Sequence, residues 1–237
     1  MTPDPATRIE AVLFDAVGTI LRLREPVGET YARFAEGHGV VLPAWRLEDG
    51  FRRILRGAPP MVFAEEPEAS LPAAERAWWR ARVRETFKAT DQTARFADFD
   101  AFFDAVFAHY ASASAWQAVP GASAALAALA SDGRRLAVAS NFDHRLEPLL
   151  QELGLATFFE EVWRPARARA AKPQPAFFEG LLARLGVAAA AALHVGDDAE
   201  DDVAAARAAG LHAVAIVPPA TLHDLPERIR AVERGAT

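Results

Sequence analysis

The stretch Ala11-Val12-Leu13-Phe14-Asp15-Ala16-Val17-Gly18-Thr19 opens with four apolar residues and breaks off at an aspartate, a glycine and a threonine. A short apolar run stopped this way reads as a strand buried in a parallel sheet and feeding a loop. Three later segments have the same form. Arg135-Leu136-Ala137-Val138-Ala139 ends at Ser140-Asn141, Ala192-Leu193-His194-Val195 at Gly196-Asp197, and Ala213-Val214-Ala215-Ile216-Val217 at Pro218. Helical patterns lie between them. Phe177, Phe178, Leu181, Leu182 and Leu185 keep the ~3.6-residue helical period, and Val203 to Ala209 is an Ala-rich helix closed by Gly210. Strands alternating with helices predict an α/β fold with a Rossmann-like open parallel sheet.

Residues 22–115 break that rhythm. They lack β-branched runs and carry amphipathic helices: Trp79, Val83 and Phe87 form one stripe, and Phe99, Phe102, Phe103, Val106 and Tyr110 another. An all-helical block inserted after the first strand is expected to be a cap. Residues 1–21 and 116–237 are then the α/β catalytic core, with hinges near Arg22–Pro26 and Gln117–Gly121.

Composition narrows the partners. The 26 Lys+Arg against 32 Asp+Glu give a net charge of −6, which offers no electrostatic footprint for nucleic acid or an anionic membrane. Cysteine is absent, removing thiol catalysis and Cys-ligated zinc. No apolar run reaches the ~18 residues of a membrane span, and Met1–Glu10 has no secretory character, so a cytoplasmic location is expected. Monomer and dimer both stay open. Only two of the 26 basic residues are lysines, Lys88 and Lys172, so each raises the question of why arginine does not stand there.

In open α/β sheets ligands bind outside the carboxyl ends of the strands. Asp15, Thr19, Ser140, Asn141 and the acidic run Asp197, Asp198, Glu200, Asp201, Asp202 belong there, and Lys172 precedes a helix beginning Pro173-Gln174-Pro175. The run could serve only as a helix N-terminus, at ~0.3–1 kcal/mol per charge. Five acids in six positions repel one another, however, and Asp15 is expected on the same rim. A divalent cation with oxygen ligands resolves this, and Mg2+ suits a site of few carboxylates plus substrate oxygens.

Phe14-Asp15-Ala16-Val17-Gly18-Thr19, Ser140-Asn141, Lys172-Pro173-Gln174-Pro175 and Gly196-Asp197 followed by Asp202 resemble, in order, the four motifs of the haloacid dehalogenase superfamily. Within it, Leu21-Arg22-Leu23-Arg24, Trp78-Trp79, Ser140-Asn141-Phe142-Asp143 and His194-Val195-Gly196-Asp197 are similar to the haloacid dehalogenase-like hydrolase domain-containing protein 3 subgroup. The resemblance implies a C1-type cap and a small phosphorylated substrate. It makes Asp15 the nucleophile, forming an aspartyl-phosphate that water cleaves. It assigns Mg2+ to Asp15, the Val17 backbone carbonyl and Asp197, with Asp202 behind them. The phosphoryl group would be held by the Ser140 hydroxyl, the Ala16 and Asn141 amides and the Lys172 ammonium, while Thr19 orients the nucleophile loop. Lysine, a compact point charge, suits a place beside carboxylates where a planar guanidinium fits poorly.

Val17 departs from the family. Phosphatases of the superfamily carry there a second aspartate that protonates the leaving oxygen. Valine cannot, and losing such acid–base help costs ~10²–10⁴-fold on unactivated substrates. Asp143, His144 and Glu25 are nearby replacement candidates. Alternatives are a metal-independent 2-haloacid dehalogenase, which an intact Gly196-Asp197 argues against, and a catalytically weakened phospho-ligand-binding or regulatory protein. A phosphonate hydrolase would need a Schiff-base lysine early in the cap, whereas Lys88 lies late. His194 reads as a packed strand residue. Arg164, Arg167 and Arg169 read as a solvated basic loop within reach of a substrate anion.

Overall fold

The computed structural model describes residues 8–217 and 221–235. The first seven residues and Pro218 lie outside that range. The strands are β1 (Ala11–Phe14), β2 (Leu21–Leu23), β3 (Trp116–Ala118), β4 (Arg135–Ala139), β5 (Glu161–Trp163), β6 (Ala192–Gly196) and β7 (His212–Ala215). The α-helices are α1 (Val27–Glu36), α2 (Ala44–Arg56), α3 (Leu71–Thr90), α4 (Phe99–Ala111), α5 (Ala122–Ser131), α6 (Leu146–Glu152), α7 (Pro165–Ala168), α8 (Pro175–Leu185), α9 (Ala205–Ala208) and α10 (Leu225–Glu233).

Five strands form one parallel sheet in the order β5-β4-β1-β6-β7, and β2 pairs with β3. The fold is α/β and Rossmann-like, as the alternation of runs predicts. The chain builds outward from β1 through β4 to β5, then returns to the other side of β1 for β6 and β7. That reversal opens a crevice at the carboxyl end of β1, where open sheets bind ligands. All four residues of β1 are buried, which explains their unbroken apolarity.

The chain divides into two compact units. One comprises Met1–Arg22, Val62–Ala64 and Ala118–Thr237; the other comprises Leu23–Met61 and Glu65–Gln117. The first packs α8 on the sheet through Phe177, Phe178, Leu181, Leu182 and Leu185, all buried with Leu13 and Ala192. Helix α8 starts on Pro175, whose missing amide costs nothing there, and ends at Gly186, which takes the left-handed conformation (φ +64°). The second unit buries Tyr31, Leu47, Val83, Phe87, Phe102, Phe103 and Val106 together, so both aromatic stripes face its core. Rings of Phe87 and Phe102 meet edge to face at 5.1 Å, and each such buried side chain contributes ~1.5–3 kcal/mol. Asp98 caps α4 by accepting from the Asp100 and Ala101 amides at 2.9 and 3.0 Å.

Five elements differ from the sequence expectation. The segments expected as hinges near Arg22–Pro26 and Gln117–Gly121 overlap the paired strands β2 and β3. Strand β5 has three residues, begins with a glutamate and lies at the sheet edge, so it carries no apolar run to recognise. Strand β7 stops at Ala215, and Val217 is exposed. The Ala-rich helix begins earlier, as a π-helical turn over Ala199–Ala204 that passes into α9 and closes at Gly210 (φ +83°). No helix among the described residues is long and apolar enough to cross a membrane.

Candidate active site

Asp15 leaves β1 where its amide donates to the Val195 carbonyl at 2.9 Å, so β6 fixes where the carboxylate emerges. The chain then turns back on itself. Ile20 and Leu21 amides both donate to the Ala16 carbonyl, and the Gly18 amide donates to Leu21. Gly18 takes a φ of +93°, and a Cβ there would collide with the carboxylate of Asp197. Gly196 does the same service for Asp202, whose side chain fills the space a Cβ would need. Two glycines thus let two carboxylates approach the end of β1.

Asp15, Asp197 and Asp202 each bring an oxygen into a group whose members lie within 4.8 Å of one another. Asp15 and Asp202 are buried, while Asp197 is more open. Lys172, also buried, donates through Nζ to Asp15 Oδ1 at 2.7 Å and to Asp202 Oδ1 at 2.5 Å. Burial alone would lower the Lys172 pKa, but the two carboxylates more than offset it, so the net shift is upward and the group stays charged. Asp202 likewise resists the upward push of burial, held well below the usual carboxylate range by the His194 hydrogen bond and the ammonium. Asp197 has only the weaker help of its own amide and the Thr19 hydroxyl. Burial and the charges of Asp15 and Asp202 push it up to about 6.

Thr19 donates to Asp197 Oδ1 at 3.3 Å, so its hydroxyl steadies that carboxylate. Asn141 uses its side chain rather than its amide alone: Nδ2 donates to the Lys172 carbonyl at 3.0 Å and Oδ1 accepts the Lys172 amide at 2.9 Å. That two-point clasp sets the backbone from which the ammonium reaches Asp15. Ser140 is buried at the end of β4, its amide bonded to the Trp163 carbonyl at 3.1 Å. The register pairs Phe14 with Val138, so Asp15 and Ser140 leave their strands at the same edge. Ala16 is buried in the loop after β1, and Val17 beside it is 38 % exposed.

The acidic run does not act as one ring. Asp197 and Asp202 join Asp15, whereas Asp198 caps the following turn by accepting from the Glu200 and Asp201 amides, each at 2.8 Å. Part of the charge is already offset from within the protein, by Lys172.

His194, which the sequence presents as a packed strand residue, is buried as expected but also places Nε2 2.8 Å from Asp202 Oδ1. Its one signal was an imidazole inside an otherwise apolar strand, three residues before Asp197. Of the candidate acids, Asp143 is fully buried in an ion pair with Arg145 at 2.5 Å, and Glu25 accepts from Thr30 at 2.6 Å and Arg33 at 2.5 Å. The basic loop is engaged by its own unit: Arg164 pairs with Glu147 at 2.8 Å, Arg167 with Glu161, and Arg169 donates to the Phe63 carbonyl at 2.7 Å. Lys88 is exposed in the last turn of α3.

The donor set is chemically suited to a hard divalent cation: all oxygen, net negative, with Asp197 raised by burial and by its two carboxylate neighbours. Asp202 is the least free of the three, since its Oδ1 accepts from Lys172 and His194 and its Oδ2 from the Asp198 amide at 3.0 Å.

A family model described as haloacid dehalogenase-like hydrolase matches residues 9–210. Haloacid dehalogenase-like hydrolase domain-containing protein 3 of Mus musculus is 35% identical over 208 residues, covering 86% of this chain and 80% of that protein. Among solved structures, the putative HAD-hydrolase YfnB from Bacillus subtilis bound to magnesium superposes with a TM-score of 0.67 at 18% identity, over 95% of this chain and 99% of that one. The L-2-haloacid dehalogenase from Xanthobacter autotrophicus gives 0.66 at 21% identity, over 94% and 83%. At those identities the structures speak for the fold alone.

Proposed function

Since this chain belongs to the haloacid dehalogenase-like hydrolase family, we propose that it is a Mg2+-dependent phosphatase of small phosphorylated metabolites with good leaving groups. The observation that carries this reading is the Lys172 ammonium shared between Asp15 and Asp202 with Asp197 close by. A 2-haloacid substrate reacts at carbon and leaves no use for a cluster of three carboxylates. A phosphoryl group spreads negative charge over its oxygens in the transition state, and cations at its edge stabilise that charge.

Asp15 attacks phosphorus through a carboxylate oxygen, forming the O–P bond of an aspartyl-phosphate while the bond from phosphorus to the leaving oxygen breaks. Water then attacks the same phosphorus and returns the Asp15 carboxylate and inorganic phosphate. Lys172 orients Asp15 and offsets charge beside it. Asp15, Asp197 and the Val17 carbonyl would hold Mg2+, with Asp202 behind them, and the ion would supply Lewis-acid charge neutralisation. Ser140 and the Ala16 and Asn141 amides would bind the phosphoryl oxygens. Val17 cannot protonate the departing oxygen, so the leaving group departs as an anion. This restricts the substrate to leaving groups of low pKa, of which acyl phosphates are the natural metabolic class.

The test is hydrolysis of acetyl phosphate and p-nitrophenyl phosphate with Mg2+. Activity is expected to disappear in EDTA and in Asp15→Asn. Equal rates in EDTA would overturn the metal role, and halide release from 2-chloropropionate without metal would replace the phosphatase by a dehalogenase.

A further inference from the structure

His194 has no part in the chemistry just described, yet it touches the charged web directly. It sits in β6, level with Leu13 of β1 and Ala213 of β7, and is 1% exposed. Its ring lies edge-on to Phe178 of α8, centroids 5.1 Å apart. Nε2 is 2.8 Å from Asp202 Oδ1, the same oxygen that receives Lys172 at 2.5 Å. Nδ1 has no hydrogen-bond partner among the described residues. A carboxylate oxygen only accepts, so the ring proton at this contact belongs on Nε2 and leaves Nδ1 bare. A side chain needed only to fill volume would not bury an unpaired nitrogen; leucine or phenylalanine fills the same space without that cost.

We propose that His194 is a positioning residue whose Nε2–H fixes Asp202 Oδ1, so that the Lys172 ammonium is held between Asp202 and the nucleophile Asp15. The geometry explains why two anchors are needed. Asp202 projects from the π-helical turn, and its Oδ2 is tied to the Asp198 amide at 3.0 Å. Without His194, Oδ1 would be held only by the Lys172 ammonium, which ends a flexible four-carbon stem. A second donor on Oδ1, mounted on the sheet rather than on the turn, sets its plane. Lys172 can then divide its protons between two acceptors whose positions do not drift, and Asp15 is presented to substrate in one orientation. Partners of this kind behind a reacting group typically change activity ~10–100-fold when removed. The kinetic consequence rests on the phosphatase reading; the placement of Lys172 does not.

The chain has only two lysines, one exposed and one buried, so lysine labelled with 15N at Nζ gives a buried-ammonium signal that belongs to Lys172. In metal-free protein, His194→Leu is expected to shift that signal and speed its proton exchange, whereas His194→Gln, whose amide nitrogen takes the place of Nε2, keeps it. With acetyl phosphate and Mg2+, His194→Leu should lose ~10–100-fold in kcat with little change in KM, and His194→Gln should recover most of it. Equal losses in both variants would make the role packing and overturn the proposal. So would an unmoved Lys172 signal in His194→Leu, or 15N-histidine spectra of the wild type that put the His194 proton on Nδ1. That last measurement needs no variant and holds if His194→Leu fails to fold. A wild type that hydrolyses nothing, with the Lys172 signal moving as expected, would sink the phosphatase reading and leave the positioning role standing.

Discussion

Replacing Lys172 by methionine keeps all but the last atom of the unbranched side chain and removes its charge. The contacts at 2.7 and 2.5 Å to Asp15 and Asp202 are each worth about 6 kcal/mol of Coulomb attraction at an effective dielectric of ~20. Three ionised carboxylates within 4.8 Å repel by ~3.5 kcal/mol or more per pair at the same dielectric. The two attractions therefore roughly match the repulsions, and without the ammonium the cluster is left uncompensated. The full deficit will not appear. Protonating one carboxylate relieves it at ~1.4 kcal/mol per pKa unit, and water at the more open Asp197 screens its share. The expected loss is that of a buried pair stripped of one partner, ~3–5 kcal/mol. Urea unfolding at pH 7 followed by circular dichroism, in EDTA and in Mg2+, measures it. Lys172→Met should unfold at markedly lower urea in EDTA, and Mg2+ should restore more stability to the variant than it adds to the wild type, because a cation substitutes for the missing charge. A variant as stable as wild type in EDTA would show that the ammonium offsets no repulsion, and the electrostatic account of the site would fall.

Val17→Asp puts a carboxyl on a side chain that is 38 % exposed, so the new charge can be hydrated. Turnover of alkyl phosphates should rise ~10²-fold or more; an unchanged rate in a folded, Mg2+-binding variant would mean that another group already supplies the proton. Arg145→Leu strips the fully buried Asp143 of its guanidinium. Burial pushes the Asp143 carboxyl up, but the Arg145 hydrogen bonds and charge more than offset this and hold it below the usual range. A depressed folded pKa stabilises fully above the unfolded value of ~3.9 and loses that contribution as pH falls through the folded one. The variant should therefore lose ~3–5 kcal/mol at pH 7, and the gap to wild type should close as pH falls below ~4, where the wild-type carboxylate loses its contribution; an equal gap at pH 7 and pH 2 would refute the ion-pair assignment.

What could be read in the chain alone was whatever declares itself over a few neighbouring residues. The apolar runs at Ala11–Phe14, Arg135–Ala139 and Ala192–Gly196 end on polar residues, and in a parallel sheet those ends must share one edge. The sequence alone therefore puts Asp15, Ser140, Asn141 and Asp197 on a common rim. Strand β5 escaped notice because its three residues at the sheet edge carry no such run. Lys172 stood out through the poverty of the chain in lysine.

Which oxygen each donor takes was beyond that reach. Asp15 and Lys172 are 157 residues apart, and their contact exists because Asn141 clasps the Lys172 backbone while β6 fixes the exit of Asp15. The bond from His194 to Asp202 spans only eight residues, yet it needs a π-helical turn and a glycine at position 196 to swing the carboxylate back over the strand. Strand burial follows from local composition, since the cost of hydrating apolar residues is paid residue by residue. Charge pairing within a buried cluster depends on distances of a few tenths of an ångström, and those are set only when the helices, loops and sheet have packed.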